Sequence, residues 1–193
     1  MRFCIVLLTL CCLLTACAKG APTYADGIAC SEILEEVQQA VPVEQGYETY
    51  GARHLTLYFE GYDDTDDFCL CYSAKTEDIN EIGIFHTPVG KSVAETEEMC
   101  REYLEALWEE KQAFIAGYAP EELPKLKHAE VRSYGRYTVY AILDDADRAR
   151  LFDAVEGMLK ESVDEGGKDS ARRGDCGVIC FVGPSSSTVR VRK

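Results

Sequence analysis

The chain has 193 residues and a formal net charge of −14 at pH 7, with 47% hydrophobic and 28% charged residues. That balance excludes a chain that is disordered throughout, and the acidic excess excludes a nucleic-acid binder, whose phosphates require a basic footprint. The charge is uneven. Residues 1–166 hold 32 acidic against 14 basic side chains and residues 167–193 hold 2 against 6, so an acidic body carries a basic tail.

Arg2 precedes an apolar run, Phe3 to Leu14, which leads into Leu14-Thr15-Ala16-Cys17. A basic start, an apolar stretch and small residues after it form a secretory signal. The run is shorter than the ~20 residues a spanning helix needs. The plain reading is an ordinary cleaved signal with an incidental Cys17. The four residues resemble the bacterial lipobox, and that resemblance implies diacylglyceryl transfer to the Cys17 sulfur and cleavage after Ala16. Cys17 then becomes the mature, palmitate-bearing N-terminus. Each buried CH₂ contributes ~0.8 kcal/mol, so two acyl chains anchor stably where one binds reversibly. The expected place is the extracytoplasmic face of the cell membrane. An acidic body would be repelled by an anionic lipid surface, which makes the lipid the means of attachment.

The expected organisation is a signal peptide at 1–16, a lipidated N-terminus and spacer at 17–25, one domain at 26–160, and a linker with a basic tail at 161–193. Of ten cysteines, Cys4, Cys11 and Cys12 leave with the signal and Cys17 takes the lipid. Cys30, Cys69, Cys71, Cys100, Cys176 and Cys180 remain, in a compartment that permits disulfides.

Cys30, Ile33, Leu34, Val37 and Val41 form one apolar helical stripe, which Pro42 ends. Residues 43–52 read as loop. Leu55, Leu57 and Phe59 alternate like a strand, but a short helix fits equally. Gly61 to Asp67 is an acidic turn containing Asp63, Asp64, Asp66 and Asp67. It lacks the central Gly and closing Glu of an EF-hand calcium loop, so a solvated turn is expected.

Asp67 to Ser73 and Ile82 to His86 read as strands. Ser92 and Glu95 form a capping box at the start of the longest helix, whose stripe runs Cys100, Tyr103, Leu104, Leu107 and Phe114, with Trp108 widening it. The helix gives way between Gly117 and Pro120. Ala129 to Ser133 is a short strand, Tyr134-Gly135 a tight turn, and Tyr137 to Leu143 the strongest strand. Asp144 or Asp145 caps a last helix carrying Leu151, Phe152, Val155, Met158 and Leu159. The fold class expected is α+β: an antiparallel four-stranded sheet with helices packed on one face. Strand-strand-helix occurs twice after an N-terminal helix.

Four stretches resemble a family of uncharacterised bacterial lipoproteins that carry one small α+β domain of unknown function, common in anaerobic Gram-positive bacteria. They are Glu81-Ile82-Gly83-Ile84-Phe85, Lys111-Gln112-Ala113-Phe114, Tyr118-Ala119-Pro120-Glu121-Glu122-Leu123 and Gly135-Arg136-Tyr137-Thr138-Val139-Tyr140. The resemblance covers roughly Asp67 to Leu159. It implies the lipid anchor and the fold class, and it transfers no catalytic residue.

His54, His86 and His128 form no zinc-hydrolase spacing, and no nucleophile elbow, dinucleotide fingerprint or phosphate loop is present. No cofactor is expected. Cys69-x-Cys71 and Cys176-x₃-Cys180 could supply four thiolates to a metal, but packing against a helix is preferred for Cys69 and Cys71. Cys176 and Cys180 can form a disulfide. Arg173-Gly174-Asp175 spells an integrin-binding tripeptide, which is common by chance. Gly177 to Val182 and Thr188 to Lys193 could form an added hairpin; the plain reading of the tail is a disordered basic end.

The function expected is that of a lipid-anchored, non-catalytic binding domain for an unidentified envelope protein or polymer. Tyr72, Tyr137 and Tyr140 are candidates for an open aromatic face on the uncovered side of the sheet, and equally for core. The alternatives are an envelope-acting enzyme using carboxylates such as Asp63, Asp64 or Glu81, and a small cysteine-based metal or redox module.

Overall fold

The structure is a computed structural model and describes residues 22–59, 61–62 and 66–169. Its elements in order are α1 (Cys30–Ala40), β1 (Tyr47–Thr49), α2 (Ala52–Tyr58), β2 (Phe68–Ser73), β3 (Glu81–His86), α3 (Val93–Tyr118), α4 (Leu123–Lys127), β4 (Glu130–Tyr134), β5 (Tyr137–Ile142) and α5 (Asp145–Asp169). The strands form one antiparallel sheet of order β1-β2-β3-β5-β4.

The α+β class and the antiparallel sheet match expectation, but the sheet has five strands. The fifth, β1, lies in the stretch read as loop and pairs Tyr47 with Ser73 and Thr49 with Cys71. The ambiguous segment before the acidic turn is the helix α2.

Helices cover both faces of the sheet, not one. Side chains of a strand alternate between faces, so each strand contributes to two cores. On one face Cys71, Ile82, Ile84, Tyr137, Val139 and Ala141 pack against α1 and α5. On the other, Leu70, Phe85 and Tyr140 pack against α2 and α3, and Ile142 meets Ile115 and Leu126. The central strands β3 and β5 are therefore buried at almost every position. Tyr137 and Tyr140 are both fully buried, so of the two readings open for them the core one holds. Tyr72 alone of the three is partly exposed.

Local chemistry fixes the element ends. Ser92 Oγ accepts from the Ala94 amide while Glu95 Oε2 accepts from the Ser92 amide, which completes the capping box. Asp144 Oδ1 accepts from the amides of Ala146 and Asp147 and caps α5. Gly135 takes φ +62° in the turn between β4 and β5, a left-handed conformation that glycine adopts without strain. On α3 the apolar stripe continues through Ile115, while Phe114 is 66% exposed. α5 continues to Asp169, through the start of the stretch read as linker.

The acidic turn has a structural task. Both carboxylate oxygens of Asp67 accept from the Cys30 amide, at 3.1 and 3.2 Å. Ala29 at the helix N-cap makes no side-chain bond, so Asp67 serves as a cap supplied from another part of the chain. Asp63 and Asp64 lie outside the described residues.

The segment before α1 is strapped onto the domain. The Tyr137 hydroxyl accepts from the amides of Gly27 and Ile28 and donates to the Ile28 carbonyl. Asp26 pairs with His86 at 2.6 Å, the Tyr24 ring packs edge-on against Tyr134, and the Ala25 amide donates to the Leu159 carbonyl.

Candidate functional site

Glu81 opens β3, in the middle of the sheet, and its side chain points to the α3 face. It is 5% exposed. A carboxylate in that position must be hydrogen-bonded, because burying it bare costs several kcal/mol. Three tyrosine hydroxyls meet this need. Tyr103 of α3 and Tyr140 of β5 donate to Oε1 at 2.6 and 2.7 Å, and Tyr50, just past β1, donates to Oε2 at 2.7 Å.

Each tyrosine is placed by its backbone. Tyr140 lies directly opposite Gly83 in the sheet, and a Cβ at Gly83 would sit 2.0 Å from Tyr140 Cε1. The missing side chain lets the Tyr140 ring close over β3 and reach back to the carboxylate two residues away. The Tyr50 amide donates to the Leu70 carbonyl, which ties that residue to β2. Tyr103 sits on the buried face of α3.

Burial, and then the charge of Glu81, push all three hydroxyls above the ordinary tyrosine range. They remain protonated donors. His54 of α2 stacks on Tyr50 with ring centroids 3.7 Å apart, and its Nε2 lies 3.5 Å from the Tyr103 oxygen. Because the Tyr103 proton is committed to Glu81, His54 is the donor in that longer contact. Burial lowers the His54 pKa, an effect the Glu81 charge partly offsets.

Beside the carboxylate is a cleft of about 230 Å³. Tyr50 and Tyr72 line it from the β1–β2 side; Leu107, Lys111 and Phe114 line it from α3; and Asn80 and Glu81 line it from the start of β3. The Tyr50 and Tyr72 ring centroids are 4.5 Å apart. Asp78 also borders the cleft but is engaged: Lys125 Nζ bridges it, at 2.9 Å, to Glu122 at 2.7 Å. Burial would raise the Asp78 carboxyl, yet the Lys125 ammonium outweighs it and holds the group below its usual value. Asn80 is 6% exposed, and its Oδ1 is buried without a hydrogen-bond partner.

Of the described cysteines, Cys100 packs in the same cluster as Tyr103 and Tyr140, and the others lie on the opposite face of the sheet. Cys69 and Cys71 pack on the opposite face against the α1 core, as preferred, and Cys30 and Cys100 are buried free thiols. Burial raises Cys69 to about 11 and Cys71 to about 12. Among the described residues no group of His, Cys, Asp or Glu side chains is arranged to hold a metal. Cys17, Cys176, Cys180 and Arg173-Gly174-Asp175 lie outside the described residues.

Sequence reasoning singled out Glu81 only as one of three carboxylates. It missed Tyr50, Asn80 and Tyr103 as its neighbours, and took Tyr140 for a surface or core residue. One signal was present. Glu81 and Gly83 share a strand face, an acid and a gap two residues apart in an otherwise apolar strand.

The model of a domain of unknown function (DUF4358) matches residues 61–143, from within the α2–β2 connection to just past β5. The match includes Glu81, Gly83, Tyr103 and Tyr140 and leaves out Tyr50, α1 and α5. No curated protein and no solved structure matches the chain.

Proposed function

We propose that the protein is a non-catalytic binding domain held on the extracytoplasmic face of the cell membrane by lipid on Cys17, and that it takes an envelope component in the Glu81 cleft. The observation that carries the binding half is the buried Asn80 Oδ1, an acceptor without a partner on a residue that lines one cleft together with the buried Glu81. Buried polar atoms are rarely left unpaired, so an unmade bond beside a cleft marks a place for a donor from outside. The acid-base groups of the site are committed to internal partners, which favours binding over an enzyme: Asp78 to Lys125, and Glu81 to three tyrosines.

The lipobox-like Leu14-Thr15-Ala16-Cys17 supports the anchor. No helix among the described residues is long and apolar enough to cross a membrane. Since Tyr24 is docked on the domain, the tether is Ala18 to Thr23, about 20 Å when extended at ~3.3–3.6 Å per residue. The strap meets the sheet at the β4–β5 turn, near Tyr134 and Gly135, whereas the cleft lies at the other end of β3 and β5, beside Glu81 and Ile142. The cleft therefore opens at the end of the sheet remote from the strap.

Native mass spectrometry of the protein taken from its own membranes tests the reading. A small molecule should travel with the folded protein and be lost from a Leu107→Trp variant, whose indole fills the cleft. Retention of the same adduct by that folded variant would remove the cleft from the account.

A further inference from the structure

We infer that the Glu81 cleft takes a small organic cation with N–H donors, a primary ammonium, an inference that rests on the binding reading above. Glu81 is a buried carboxylate whose three hydrogen bonds all come from neutral hydroxyls. Among the described residues no ammonium, guanidinium or imidazole forms an ion pair with it. The tyrosines satisfy its lone pairs without cancelling its charge.

A carboxylate has room for about four hydrogen bonds. Oε1 holds two and Oε2 one, so the open position is on Oε2. Its partner there, Tyr50, is the one tyrosine of the three that lines the cleft. Asn80 Oδ1 provides a second acceptor in need of a donor. The site thus presents negative charge and acceptors, which an ammonium with three N–H groups complements and an anion does not.

The walls agree. Tyr72 brings an aromatic ring to the cleft beside Tyr50, whose own ring is stacked on His54, and the negative face of such a ring attracts cations. Phe114 adds a third ring at the mouth, two-thirds exposed and stacked on Tyr118. Two other charges border the cleft, and both are already paired. Asp78 is bound by Lys125, and Lys111 reaches Glu110 at 2.6 Å. Glu81 is left as the charge without a counter-ion. The volume of about 230 Å³ limits the ligand to a compact amine rather than a chain of several residues.

The test is calorimetric titration of the full-length protein in detergent micelles with benzylammonium, benzyl alcohol and benzoate. These share a ring and differ in charge. The single tryptophan, Trp108, packs in the cluster of Ile115, Leu126 and Ile142 beside the cleft, so its emission is a second readout. Benzylammonium should bind about tenfold or more tighter than the alcohol, and benzoate weakest. Glu81→Gln should remove the preference. Should that variant fail to fold, Tyr72→Ala keeps every hydrogen bond to Glu81 and should weaken the ammonium several-fold while leaving the circular dichroism unchanged. Equal binding of alcohol and ammonium, or tighter binding of benzoate, overturns the cation and leaves the cleft. Binding of none of the three overturns the cleft reading itself.

Discussion

The ring of Tyr140 occupies the space where a side chain on Gly83 would stand, with Cε1 2.0 Å from the position of a Cβ. The two residues are directly paired on adjacent central strands, and the same packing carries the Tyr140 hydroxyl to Glu81. Gly83→Ala should therefore cost about 3 kcal/mol or more, at the upper end for overpacking a core. In urea unfolding, pairing it with Tyr140→Leu should give a double variant less damaged than the sum of its parts. Strict additivity would mean that the two residues do not share this space.

The three hydroxyls on Glu81 are charge-assisted donors in a buried site. Tyr103→Phe keeps the ring and removes one of two bonds to Oε1. The expected loss is roughly 1.5–3 kcal/mol, the range for a hydrogen bond to a charged group. Tyr50→Phe should cost less, since Tyr50 borders the cleft and water can replace its hydroxyl on Oε2. A Tyr103→Phe variant as stable as the parent would show that Glu81 is not held as described.

The sequence made β2 to β5 legible through alternation and the capping box of α3 through Ser92 and Glu95. β1 was not legible, because three residues with an exposed Glu48 at their centre carry too little pattern. The coverage of both faces was encoded but misjudged. Val139 and Ala141 alternate with Tyr140 and Ile142, all four apolar or aromatic, which signals a strand buried on both sides. The site was harder to read. Glu81 is made buried and paired by residues 31 positions before it and 22 and 59 after it, and no local pattern announces such convergence.

Acid should weaken the fold in two stages. Burial lowers the His54 pKa, so below 6.5, its ordinary value, the unfolded chain takes up a proton that the folded chain resists, and stability declines as pH falls. Asp78 is held low by Lys125, so its contribution is complete above 3.8 and is lost as pH falls through its lower folded value. Thermal unfolding from pH 8 to pH 3 should show both stages. His54→Gln should flatten the first and leave the second.

The three buried thiols, Cys30, Cys71 and Cys100, should be inert in the native state. Cys30, Cys71 and Cys100 are buried, and burial raises each thiol, that of Cys71 to about 12. Only the thiolate reacts. Peptide mapping after maleimide labelling should find these three unmodified without denaturant and the half-buried Cys69 modified slowly. Fast labelling of Cys30 or Cys71 would contradict the packing of α1 on the sheet.

The claim that the domain works from a lipid tether is tested most directly by the intact mass of the protein extracted from native membranes. The account predicts a chain that begins at Cys17 and carries the added mass of a diacylglyceryl group. A chain beginning elsewhere, with no lipid mass, would contradict it and free the cleft from any fixed place at the membrane.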